Sequence, residues 1–382
     1  MNNTDPLKPA YDLIYLVSCS VNGHTPDKAK CAEMDVAAVF KAACRHALTV
    51  AAALALEQVM RLPDYFTEEE YKAIRRLSLF DAERVRIISE MEARKIWYMP
   101  LKGIVMKDYY PQAEMREMSD NDILFDEQKA DEVKAIMESA GYSCLVFNKI
   151  HHDVYHKGSF VTFEMHREVF DKHSDPMFVR YFRDTPKRMI KDEQNSFGYH
   201  LAPEEFYIML IAHLFKHYRN EGTGLRALLD IYVFNHFCEK KLNTQDISQK
   251  LEALKLTDFE RETKALAEKL FTLQPLSAEE QKEAEYYISS NSHGTTENRI
   301  AAFLDNDDSR KAKRRYAMER IFPSQESIHR NHPLVSRHKA LYPLLVMYRP
   351  FKGIVKHRKQ IKNEIDSLKR FSKDKNRGKF NK

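Results

Sequence analysis

The sequence predicts a helix-rich α+β protein in which a small mixed sheet is flanked by N-terminal helices and a C-terminal helical domain. Three observations point there. Glycine is scarce, 10 in 382 residues, which disfavours a chain of tight turns and favours helices. Long apolar stripes at helical spacing fill both ends of the chain. Between them, near residues 95 to 175, the pattern changes to short apolar and aromatic runs punctuated by glycine and proline.

In chain order, residues 35 to 61 are alanine-rich without Gly or Pro, and residues 68 to 95 carry Ile74, Leu77, Val85, Ile88 and Met91 at helical spacing. Both read as helices. Ile96 to Leu101 is short and aromatic and reads as a strand, ended by Lys102-Gly103. Ile104 to Tyr110 reads as a short helix closed by Pro111, and Ile123 to Phe125 as a second strand. Asp126 then caps a helix from Glu127 to Ala140, which Gly141 terminates. Tyr142 to Phe147 and Phe160 to His166 supply two more strands. Helices follow over Pro203 to Tyr218, Leu225 to Phe237, Asp246 to Phe271 and Ala278 to Ser290, whereas residues 300 to 340 are polar and poorly patterned. The expected division is a helical segment 1–94, an α/β core 95–200, a helical domain 201–300, a polar irregular segment 301–350 and a basic amphipathic tail 351–382.

Composition excludes several classes. With 43% hydrophobic and 31% charged residues the chain builds real cores, so disorder and disulfide frameworks are out. The five cysteines form no CxxC pair, which fits a reducing compartment. Tyr11 to Val21 is apolar and ends beside a lipoprotein-like Leu16-Val17-Ser18-Cys19, but only Lys8 precedes it and Asp12 interrupts it, unlike a leader. The run Leu48 to Leu56 is too short to span a membrane. A cytoplasmic protein is expected. The tail from Phe351 holds nine Lys and three Arg against three acids, net +9; the whole chain carries +5, so the rest carries −4. Its stripe of Phe351, Ile354, Val355, Ile361, Ile365 and Leu368 fits a helix packed on the body, or one that meets an anionic membrane surface or a polyanion.

Chemistry concentrates in the α/β unit. Asp120 and Asp122 stand two apart at the start of a strand, so both carboxylates leave the same face. Like charges so placed call for a cation, and hard oxygens suit Mg²⁺; a solvated strand edge is the plainer reading. Neutralising either aspartate is expected to leave the fold intact, since relieving repulsion seldom destabilises a surface pair. Alternation in the last strand sets Phe160, Thr162, Glu164 and His166 on one face, so Glu164 is a charge within an apolar strand that a shared metal would satisfy. Upstream, Lys102-Gly103 sits where a strand meets a helix N-terminus, a place that favours an anion. His151, His152 and His156 have zinc-like spacing but lie in a polar connection. His213 and His217 share a helix face near Lys216, with Arg226 and Asp230 on the next helix, and read as a polar seam or as the acceptor side of a cleft.

Leu101-Lys102-Gly103, Tyr109-Tyr110-Pro111, the block from Arg116 to Phe125, Gly141-Tyr142 and Phe163-Glu164-Met165-His166 resemble, in order and spacing, the uncharacterised nucleotidyltransferase family of the polymerase-β-like superfamily. Weaker likeness extends over Val36 to Met60, His213 to Asp230 and Ile321-Phe322-Pro323-Ser324. The resemblance implies Gly103 as the phosphate-loop glycine, Lys102 at the triphosphate, Asp120 and Asp122 as metal-binding aspartates, and Glu164 as third carboxylate, acting as metal ligand or general base. It further implies one or two Mg²⁺ ions bridging the α-phosphate of an NTP during in-line attack by an acceptor hydroxyl. Arg116 would neutralise phosphate charge, or pair with Glu114 or Glu117. An acidic body favours a small-molecule or sugar acceptor over a nucleic acid. Three departures stand out: Lys102-Gly103-Ile104 lacks a second small residue, the gap from it to Asp120 is longer than usual, and Asn121 replaces an apolar residue between the aspartates. They leave room for a catalytically silent binding or regulatory module, or for a choline-phosphate or sugar-phosphate transferase near a membrane.

Overall fold

The computed structural model describes residues 5–158, 161–238, 242–292, 294–304, 309–322, 362 and 364–368. Most of the basic tail, part of residues 301–350, Phe160, and Pro323-Ser324 of the last motif lie outside the described residues. The chain divides into two compact units, Met1–Phe215 with Leu225–Gln281, and Lys216–Gly224 with Lys282–Lys382.

The first unit opens on helices α1 (Lys8–Val21), α2 (Lys28–Ala32), α3 (Val36–His46), α4 (Thr49–Leu56) and α5 (Asp64–Ala93). The apolar Tyr11 to Val21 stretch is thus a core helix, with Leu13, Leu16 and Val17 fully buried. The single helix expected over 35–61 is two. Ala47 takes a left-handed φ of 53° and ends α3, and the Glu117 carboxylate accepts from the Thr49 and Val50 N–H groups to start α4. That cap comes from 67 residues away, so no local signal announces it.

The sheet follows: β1 (Tyr98–Pro100), α6 (Gly103–Met106), β2 (Asn121–Phe125), α7 (Ala130–Ser139), β3 (Ser143–Val146), β4 (His152–Lys157) and β5 (Val161–His166). The strand order is β1-β2-β5-β4-β3. Only β2 and β5 run parallel, and their register sets Asp122 opposite Glu164 and Leu124 opposite His166. Phe80 and Met91 of α5 and Val133 and Ile136 of α7 pack on one face against Ile123, Phe125, Phe163 and Met165. Asp122 of β2 and Thr162, Glu164 and His166 of β5 are thereby left on the other face.

The His151 to His156 segment, expected as a polar connection, is mostly strand β4. Its inward Asp153 is fully buried, held by Arg167 at 2.6 and 3.2 Å and by the Asn148 N–H at 2.7 Å. A buried charge so paired replaces the apolar residue that alternation looks for. After it come α8 (Pro176–Arg183), α9 (Thr185–Arg188), a hairpin of β6 (Ile190–Lys191) and β7 (Tyr199–His200), α10 (Pro203–Asn220) and α11 (Leu225–Phe237). The helix expected over 246–271 is also two, α12 (Thr244–Ala253) and α13 (Thr257–Phe271), parted by Lys255 at φ 55°.

The second unit contains α14 (Ala278–Ser289) from Lys282 onward, α15 (Thr296–Leu304) and α16 (Arg310–Ile321). The last two occupy sequence that shows no clear pattern. Ile300, Leu304, Ala312 and Tyr316 form their small shared core. Among the described residues no helix is long and apolar enough to cross a membrane.

Candidate functional site

Strand β2 presents opposite characters on its two faces. Asn121 points into the core, where its amide accepts from Arg84 at 3.1 Å and donates to the Phe80 carbonyl at 3.3 Å. The departure between the aspartates is therefore a satisfied buried amide that ties β2 to α5. It is 0% exposed, and it takes no place on the opposite face.

On that opposite face Asp122, 5% exposed, accepts at one oxygen from Lys102 Nζ at 2.8 Å and from His166 Nε2 at 2.7 Å. Glu164 stands beside them, its Oε2 3.6 Å from His166 Nε2 and 3.7 Å from His152 Nε2. Burial alone would raise the Asp122 carboxyl, but the Lys102 and His166 charges hold it far below the usual carboxylate range. Burial likewise works to raise Glu164, and the hydrogen bond from His166 brings it below its ordinary value. For Asp120 the balance is reversed: burial, then the charges of Asp122 and Glu164, push it up to about 6 against the lowering pull of Lys102 and a Ser119 hydrogen bond. His152 is driven down to about 4 by burial and by His166.

The structure brings Asp122, Glu164 and His166 together, with ligand atoms within 4.8 Å of one another. Asp120 adjoins them electrostatically but is not a member of that group. Asp122 is buried and ion-paired, so the expectation that neutralising it leaves the fold untouched is corrected: its loss strands a half-buried ammonium. The donor chemistry fits Mg²⁺. Carboxylate oxygens of Asp122 and Glu164 converge on one sheet face, with Asp120 near enough to feel the charge of both.

The turn before α6 differs from its sequence reading. The left-handed backbone of this turn is at Lys102, with φ 46° and ψ −116°, a region that favours glycine and costs a side-chain-bearing residue about 1–3 kcal/mol. Its salt bridge to Asp122 holds it there. Helix α6 has four residues, too short to offer the anion the helix end expected from sequence. Gly103 instead makes room for Arg116, since a Cβ there would sit 3.0 Å from Nη1.

Arg116 pairs with neither Glu114 nor Glu117 through their carboxylates. Its Nε and Nη2 each reach the Asp230 carboxylate at 2.9 Å, and the Tyr110 hydroxyl donates to Asp230 at 2.7 Å. Arg226 donates to the Glu117 carbonyl at 2.9 Å. Arg116 is thus a clamp between the segment leading into β2 and α11. Of the expected histidine seam, His217 Nδ1 meets Glu221 at 2.9 Å, while Asp230 belongs to this clamp. His156 stands apart from His151 and His152, against Thr162. Sequence reasoning underrated His166 and missed Asp230 as the partner of Arg116; the signal for the first was its place two residues beyond Glu164 on one strand face.

No curated protein and no solved structure matches the chain. The family model described as uncharacterised nucleotidyltransferase matches residues 32–272, which takes in the sheet, the carboxylates and the Arg116 clamp. The chain belongs to the uncharacterised nucleotidyltransferase family.

Proposed function

We propose that the chain is a Mg²⁺-dependent transferase that moves a nucleotidyl group from an NTP to a hydroxyl of a small molecule or sugar. The observation that carries this reading is the parallel register of β2 and β5, which sets Asp122 against Glu164 with Asp120 at the edge of the same charged face. Asp120, Asp122 and Glu164 would hold the ion, which when bound supplies polarisation of the α-phosphate. Lys102, poised on Asp122, would meet the triphosphate from the strained turn. Glu164 would take the acceptor proton. Arg116, spent on Asp230, would support Gly103 and the turn from behind and leave the nucleotide to Lys102.

One observation favours a silent binding module as the rival: the Asp122 oxygen already receives two donors, so an incoming cation must compete with them. Calorimetric titration of wild type and Asp120→Asn with each of four NTPs, with and without Mg²⁺, separates the two. Binding that needs both Mg²⁺ and Asp120 is the expected result. Absence of binding to folded wild type would leave the silent module standing.

A further inference from the structure

Beside the carboxylate face, three imidazoles converge: His151 just before β4, His152 on β4 and His166 at the end of β5, each offering a nitrogen within 4.8 Å of the others'. Their ring centres lie 4.5 to 5.4 Å apart. Nε2 of His151 and Nδ1 of His152 face each other at 3.2 Å. Two nitrogens each bonded at 2.0–2.1 Å to a tetrahedral zinc stand about 3.3 Å apart.

Each of the three rings also has a carboxylate at its other nitrogen or close by. Asp171 Oδ2 is 3.4 Å from His151 Nδ1, Glu164 Oε2 is 3.7 Å from His152 Nε2, and Asp122 Oδ1 is 2.7 Å from His166 Nε2. A carboxylate behind an imidazole is what orients metal-bound histidines and strengthens their basicity. His166 is 1% exposed, and its Nδ1 has no hydrogen-bond partner among the described residues. A buried ring nitrogen in that state lacks the partner such groups ordinarily have.

We propose that His151, His152 and His166 form a binding site for a transition-metal ion, with zinc as the cation their nitrogens fit best. The site is distinct in chemistry from the oxygen-lined one, because Mg²⁺ prefers carboxylates and water whereas imidazole selects zinc and its neighbours. An ion there ties the start of β4 to the end of β5. Three nitrogens leave a tetrahedral ion one open position for water or an anion.

The test uses the full chain, stripped with a chelator and titrated with Zn²⁺ alone by calorimetry and by competition with a chromophoric indicator. One ion per chain at a Kd below about 1 μM, with a zinc-dependent rise in melting temperature, is expected. His151→Ala and His152→Ala should each weaken binding by about 10- to 100-fold. Asp120→Asn should leave it within about threefold, and excess Mg²⁺ should not displace it. Should an alanine variant fail to fold, His152→Gln carries the same reading. Absence of a stoichiometric zinc, or full binding in the histidine variants, overturns the proposal. Zinc binding without any NTP binding would sink the nucleotidyl reading and leave this one intact.

Discussion

Two buried charge pairs on the same stretch of chain behave differently. Arg116 and Asp230 are matched one to one by two 2.9 Å bonds, with Tyr110 completing the set. Asp122 instead gathers Lys102 and His166 on one oxygen while Asp120 and Glu164 remain beside it. The first pair is electrostatically closed and serves as frame. The second keeps a raised Asp120 carboxyl, a strained lysine backbone and an imidazole nitrogen with no hydrogen-bond partner among the described residues, features that the proposed ligands would balance.

Breaking the frame should have the largest effect. Arg116→Ala leaves Asp230 buried without its cation and should cost about 3–5 kcal/mol; thermal melts that fall by less than a few degrees would show the pair is not a frame. Asp122→Asn is expected to cost less, roughly 1–3 kcal/mol, because the Lys102 side chain keeps 21% of its surface exposed. Its stability loss should come with loss of any Mg²⁺-dependent NTP binding, a combination Arg116→Ala should not show at temperatures where it remains folded.

A third buried charge sharpens the contrast. Glu70, 6% exposed, makes no salt bridge among the described residues, and burial followed by the charge of Glu57 raises it to about 7. Its folded value exceeds its unfolded one, so the stability it contributes is full below the unfolded value of about 4.5 and is lost as pH rises through about 7. Glu70→Gln should therefore stabilise the protein by roughly 2 kcal/mol at pH 8 and by little at pH 4.5, as read from paired melts. Equal effects at both pH values would contradict the burial of an unpaired carboxyl. Smallest of all, Gly103→Ala should cost about 1 kcal/mol by pressing on the Arg116 guanidinium, which a denaturant midpoint can detect.

Much of this was legible in the chain. Short apolar runs placed four of the strands in the main sheet, and alternation set Glu164 and His166 on one strand face, because period-two alternation survives in any strand with one buried side. What escaped were features made by distant partners. Glu117 caps α4 from across the chain, Asp230 claims Arg116, and Asp153 buries a charge in β4 that Arg167 and the Asn148 N–H make tolerable. The breaks at Ala47 and Lys255 occur at residues with no turn preference, so propensity reads straight through them.

The parallel pairing of β2 with β5 also has a consequence in time. Helix α7 and strands β3 and β4 lie between β2 and β5 in the chain, so their pairing is a non-local closure, and such closures are slow steps. Asp122 and Glu164 become neighbours only through that pairing. The Asp122–Glu164 pair is thus made by a long-range closure, whereas the three imidazoles need only the local pairing of β4 with β5.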